Sequence, residues 1–150
     1  MKYVDTKVVM TEIPDEIALA INISGCPCHC IGCHSSYLAE DIGEDLSIEK
    51  LTQLATEADG ITCVAFMGGD ADPKRVNSLA KWVQNELDLK AAWYSGRDKI
   101  SDEINLENFN YIKIGHYDES LGPLNEKTTN QRLYKIVNKQ LVDITIRFWR

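Results

Sequence analysis

Ile61-Thr62-Cys63-Val64-Ala65-Phe66 is a nearly continuous apolar run, and Gly68-Gly69-Asp70 then Asp72-Pro73 follow it within seven residues. A run of this kind lies in a parallel sheet covered on both faces. The paired glycines mark a turn at its carboxyl end, and Asp72 as N-cap with Pro73 as first helical residue opens a helix. Val76, Leu79, Ala80, Val83 and Leu87 recur at helical spacing along it. Strand, turn and helix in that order form the repeating unit of α/β architecture.

The same alternation extends outward on both sides. Upstream, Tyr3–Ile13 and Ile17–Ser24 read as two strands around Pro14-Asp15, Ser35–Glu40 as the start of a short helix, and Glu40–Asp45 as a loop. Ser47 then caps a helix in which Leu51 and Leu54 share a face. Downstream, Ala91–Tyr94, Tyr111–Ile114 and Ile144–Phe148 read as further strands. A closed eight-unit barrel typically needs about 250 residues, so 150 residues leave room for only part of one. The expected fold is a single α/β domain over residues 1–150, an incomplete and laterally open (βα) barrel. In such a fold ligands gather at the carboxyl ends of the strands. That rim would hold the loop after Ser24, Gly68-Gly69-Asp70 and Ser95-Gly96.

The loop after Ser24 reads Cys26-Pro27-Cys28-His29-Cys30-Ile31-Gly32-Cys33-His34, with four of the five cysteines and two of the three histidines. Thiolates are soft ligands that select iron–sulfur clusters, zinc or copper(I). Taken as Cys26, Cys30 and Cys33, the spacing is C-x3-C-x2-C, three ligands where a closed site needs four, so a four-iron cube would keep one iron for an outside ligand. The bland alternative is structural zinc, with Cys28, His29 or His34 as a fourth ligand. Against it stand the lack of a second ligand pair at finger spacing and a chain long enough to fold without a metal staple. An odd, bunched cysteine count is no disulfide framework and agrees with a reducing compartment. The start Met1-Lys2-Tyr3-Val4-Asp5 lacks signal-peptide order, and no run of about 18 apolar residues offers a membrane span. A cytoplasmic protein is expected. The net charge of −7, with 16 basic residues spread thinly, argues against nucleic acid and for a protein or small-molecule partner.

The C-x3-C-x2-C loop directly after an apolar strand resembles the cluster loop of radical S-adenosylmethionine enzymes. Gly25-Cys26, Gly32-Cys33-His34, the short chain and Thr129-Asn130-Gln131-Arg132 resemble the activating proteins of anaerobic ribonucleoside-triphosphate reductase. The likeness runs over most of the chain. It implies the same open barrel and a 4Fe–4S cluster on Cys26, Cys30 and Cys33 that cleaves S-adenosylmethionine. It further implies a radical that takes hydrogen from a glycine of the reductase, and an external electron donor such as a flavodoxin. Gly68, Gly69 and Asp70 stand where relatives resemble Gly-Gly-Glu-Pro, a segment that contacts the cofactor's amino group; here Asp70 replaces glutamate and Ala71 proline. Independently, paired glycines let a backbone approach a ligand, and a carboxylate suits an ammonium. Trp93-Tyr94-Ser95-Gly96 resembles the next strand end, which places Ser95 near the cofactor.

Other readings accompany these. An activase of another glycyl-radical enzyme, a small-molecule enzyme of the same superfamily, and a non-catalytic zinc or electron-transfer module are the alternatives. Cys28 has no role in the pattern and is expected to point away from the cluster, and Cys63, mid-strand among apolar neighbours, to be an ordinary buried cysteine. Lys113, His116 and Tyr117 receive no site role, because a strand-end lysine is usually solvated and a lone histidine more often structural. Gly122–Asn125 and Thr128–Arg132 read as a turn-rich surface loop whose Asn, Gln and Arg side chains offer donors for binding.

Overall fold

The computed structural model describes residues 1–28 and 36–149. Their strands are β1 (Lys2–Val9), β2 (Ala18–Ile23), β3 (Glu44–Asp45), β4 (Cys63–Met67), β5 (Lys90–Tyr94), β6 (Tyr111–Ile114), β7 (Arg132–Val137) and β8 (Gln140–Asp143). They form one sheet in the order β3-β1-β2-β4-β5-β6-β7-β8. The inner strands β2, β4, β5 and β6 are mutually parallel. The outer pairs, β3 with β1 and β7 with β8, join them antiparallel. The described α-helices are α1 (Ile48–Glu57) and α2 (Pro73–Glu86).

This corrects the expected incomplete, laterally open (βα) barrel. A barrel repeats one parallel strand with one helix per crossover, and here the pattern stops early. The link from β5 to β6 carries only a three-residue 3-10 turn, Leu106–Asn108, and β7 and β8 return as a hairpin. The chain therefore builds one mixed sheet of eight strands with two α-helices among its described residues. The strand expected at Ile144–Phe148 is a 3-10 turn, Thr145–Phe148, pinned to the β1–β2 turn by Arg147, which donates to both Asp15 oxygens at 2.8 and 3.0 Å.

Both helices pack on one face. Ser47 Oγ accepts from Lys50 N at 3.0 Å and Asp72 Oδ1 from Arg75 N at 3.2 Å, caps that each stabilise a helix start by about 1 kcal/mol. Leu51, Ala55, Val76, Leu79, Ala80 and Val83 then meet Leu19, Ile21, Ile23, Val64, Phe66, Trp93 and Ile112 in the main core. The alternate residues Ala18, Cys63, Ala65, Ala92, Tyr111 and Leu133 form the opposite face, which Ile13, Leu124, Ile144 and Phe148 cover without an α-helix. Cys63 is fully buried there, as its apolar neighbours predict, and burial pushes its thiol up to about 12. Among the described residues no helix is long and apolar enough to cross a membrane.

Parallel pairing puts the strand ends in line. Asn22 pairs with Met67, Met67 with Tyr94, and Tyr94 with Lys113, so the carboxyl ends of β2, β4, β5 and β6 make one rim. Ile114 pairs with Arg132, which brings the residues just before β7 to the same rim.

Candidate functional site

The cysteine segment begins at this rim. Gly25 N donates to Glu40 O at 3.0 Å and Cys26 N to Leu38 O at 2.8 Å, so the two feet of the segment are stitched together directly after β2. Behind them, Ser24 Oγ donates to Ile42 O at 2.6 Å. Ser36–Ala39, the far foot, is a 3-10 turn whose Leu38 is buried. Cys26 is a free thiol, half-buried. Cys30 and Cys33 lie outside the described residues, and among those described no three metal-ligating groups come together. Cys26 has the chemistry a cluster ligand needs: it is a soft donor, free and partly accessible, at the mouth of a segment whose ends are held side by side.

Asp70 is the polar centre of the rim. It is 7% exposed, and its Oδ1 accepts from Ser95 Oγ at 2.5 Å while Oδ2 accepts from Gly96 N at 2.8 Å. Cys28 Sγ lies 3.7 Å from Oδ2, close enough for a thiol donor. Cys28 thus turns into the rim, beside Asp70. Burial, with the neighbouring Asp70 and Cys26 adding to it, pushes this thiol up to about 12. A carboxylate has about four lone-pair positions on its two oxygens, so Asp70 can take a further donor on top of its strand-end partners.

The glycines at the rim are explained first by the fold. Gly68 and Gly69 have φ of 115° and 98°, which side-chain-bearing residues rarely adopt. A Cβ on Gly69 would sit 2.5 Å from Val76 Cγ2, and one on Gly68 3.2 Å from Ile23 O. Both glycines let β4 turn sharply between β2 and α2 and hold Asp70 under Ser95. Gly68 O also accepts from the Trp93 indole at 2.7 Å, which makes Trp93 a core residue stacked on Phe109. Tyr94 OH donates to Glu12 O, and burial drives its phenol far above the ordinary range. A cleft of about 270 Å³ opens beside the glycines, lined by Ser24, Gly25, Gly69, Ala71 and Asp72 among others. A larger groove of about 780 Å³ lies between Met10–Glu12, Pro14, Pro123–Asn125 and Phe148; it includes part of the Gly122–Asn125 turn but none of the residues expected to hold the cluster or the cofactor.

Two residues escaped sequence reasoning. Lys113 is 8% exposed, not solvated; its ammonium donates to Gly115 O at 2.8 Å and to Ser95 O at 3.2 Å and lies 5.9 Å from the centre of the Tyr94 ring. Its position on a strand was visible, but not the carbonyls that would receive it. The second is Glu16, at the opposite end of the strands. Its buried carboxylate accepts from Thr62 Oγ1 at 2.9 Å and from Lys90 Nζ and Tyr111 OH, both at 2.8 Å. Burial alone would raise its pKa, yet these donors hold it below the usual 4.5.

The Thr128–Arg132 segment is also more than a surface loop. Thr129 and Gln131 are buried, Thr129 Oγ1 accepts from Gln131 N at 3.0 Å, and Arg132 begins β7. A Cβ on Gly115 would lie 2.9 Å from Gln131 Cα, so the segment packs directly on the end of β6. Asn130 Nδ2 donates to His116 O at 3.1 Å, while its Oδ1 is buried with no partner among the described residues. Compared with models of protein families, with curated proteins and with solved structures, the chain matches none.

Proposed function

We propose that the chain is an activating enzyme that cleaves S-adenosylmethionine at a 4Fe–4S cluster held by Cys26, Cys30 and Cys33 and generates a glycyl radical on anaerobic ribonucleoside-triphosphate reductase. The observation that supports this reading best is the shared rim: the free Cys26 thiol leaves the end of β2, and the buried Asp70 carboxylate, clamped by Ser95 and Gly96, stands at the ends of β4 and β5. A soft metal donor beside a fixed anion suits a ligand that is an amino acid at one end and meets a metal at the other. The motif and this juxtaposition carry the reading, and it needs no barrel.

When bound, the cluster supplies the electron that splits the sulfonium of the cofactor and so yields the radical that removes a glycine hydrogen. The chain's own residues bind and orient. Cys26 is fixed by its backbone bond to Leu38, which keeps its sulfur at the rim. Asp70 presents lone pairs already oriented by two donors, so little order is lost when an ammonium arrives. Gly68 and Gly69, both at positive φ, supply the turn after β4 that brings Asp70 to Ser95 and Gly96. The described residues are built around a single sheet, with no second domain among them to close over the rim, which favours a protein partner that completes the site, with a flavodoxin-like protein as electron donor.

Incubating the reduced, cofactor-loaded protein with the anaerobic reductase tests this. A glycyl radical seen by electron paramagnetic resonance, and lost when the partner's glycine is changed to alanine, is the expected result. Absence of that radical, with turnover of a small metabolite instead, would refute the activase reading.

A further inference from the structure

Ser95 joins two buried charges on neighbouring strand ends. Its hydroxyl donates to Asp70 Oδ1 at 2.5 Å, and its carbonyl accepts from Lys113 Nζ at 3.2 Å. Lys113 Nζ also holds Gly115 O at 2.8 Å, and Gly115 N returns to Arg97 O at 2.6 Å, so the ends of β5 and β6 are tied on both sides of Ser95-Gly96. Ser95 N in turn donates to Lys113 O at 2.9 Å. The carboxylate is 7% exposed, Ser95 2% and the lysine 8%. A lysine buried this far is costly unless its ammonium is fully engaged, and a methionine or leucine would fill the same space without that cost. Its presence needs a reason beyond packing.

The geometry points to Lys113 as a positioning residue for the cofactor: by drawing the Ser95 and Gly115 carbonyls together it aims the Ser95 hydroxyl and the Gly96 N–H at Asp70 and so sets the carboxylate that receives the cofactor's ammonium. The last clause rests on the function proposed above; the clamp itself does not. Lys113 acts across three strands, from β6 through β5 to β4. An apolar residue of equal length would leave two carbonyls unmatched and let the Ser95-Gly96 turn drift from Asp70. Gly96 has little slack of its own, because a Cβ there would already lie 2.9 Å from Cys28 Sγ.

Two measurements test this on the full chain. Hydrogen exchange of the Gly96 amide, followed by nuclear magnetic resonance without cofactor, reads the clamp. In Lys113→Met that amide is expected to exchange at least about tenfold faster, while amides in α2 keep their protection. Should Lys113→Met fail to fold, Lys113→Gln, which keeps a donor but shortens its reach, takes its place with the same expectation. Calorimetry with S-adenosylmethionine on cluster-loaded protein reads the consequence. Lys113→Met should weaken binding about tenfold at unchanged iron and sulfide content, and the double variant with Asp70→Ala should bind no worse than Asp70→Ala alone. Unchanged Gly96 exchange, or losses that add in the double variant, would overturn the inference. If the unmodified chain binds no S-adenosylmethionine, the proposed function falls, whereas Gly96 exchange still decides the clamp.

Discussion

Replacing Asp70 separates its duty in the fold from its duty to a ligand. Asp70→Ala leaves the Ser95 hydroxyl and the Gly96 N–H without their acceptor, and Ser95 at 2% exposure is out of reach of bulk water. Each orphaned buried donor costs about 1–3 kcal/mol, so the variant should lose about 2–6 kcal/mol of stability. For a chain of this length that lowers Tm by about 5 °C or more. Asp70→Asn keeps one oxygen, hence one of the two bonds, and should lose roughly half as much. Both variants remove the charge offered to an ammonium. A charge-assisted bond of this kind contributes about 1.5–3 kcal/mol, so both should bind S-adenosylmethionine at least about tenfold more weakly. Thermal unfolding and calorimetry on cluster-loaded protein measure the two effects separately. Asp72→Ala, which removes only a helix cap, should lower stability by about 1 kcal/mol and keep affinity. Full affinity in Asp70→Asn would show that the carboxylate serves the fold alone.

Single replacement of Cys26 by alanine should abolish iron binding, whereas Cys28→Ala and Cys63→Ala should retain it, the latter with a stability loss of about 1 kcal/mol from a small cavity; iron content and urea unfolding read both. Gly96→Ala pushes a Cβ to 2.9 Å from Cys28 Sγ and should destabilise by about 1–3 kcal/mol, with part of that recovered in the double variant with Cys28→Ala. An additive loss in the double variant would contradict the packing of Cys28 against Gly96. Because the pKa of Glu16 is lower in the folded chain than its ordinary 4.5, its contribution to stability is full above that value and is lost as pH falls through the folded pKa. Acid unfolding of Glu16→Gln should therefore show a flatter pH dependence below about pH 5 than the unmodified chain.

The inner part of the sheet was legible because its signals are local. Tyr111–Ile114 is a strand as expected, Ser47 and Asp72 cap their helices, and the apolar run at Cys63–Met67 lies between parallel neighbours. From strand ends in sequence, the rim with Cys26, Gly68-Gly69-Asp70 and Ser95 followed directly. The outer part was not legible. The β7–β8 hairpin turns on Asn138-Lys139, both at positive φ, without the glycine that normally advertises such a turn, and β8 is exposed on every residue. Without that hairpin, continued strand–helix alternation looked like part of a barrel. Thr145–Phe148 has strand-like residues, yet Thr145 is buried with its hydroxyl bonded to Leu133 N and Asp143 Oδ1, a long-range arrangement that no local pattern announces. The burial of Lys113 and Glu16 is hidden for the same reason. Glu16 meets groups from other strands, and Lys113 meets one carbonyl beyond β5 and one just past its own strand, so exposure statistics for single residues point the wrong way.

The proposed function depends first on the metal. Iron and sulfide analysis of anaerobically prepared protein, read with its visible spectrum, tests it most directly. The account predicts about four irons and four sulfides per chain and a broad visible absorption that bleaches on reduction. A chain that carries a single zinc and no sulfide, and takes up neither iron nor sulfide on reconstitution, would contradict it.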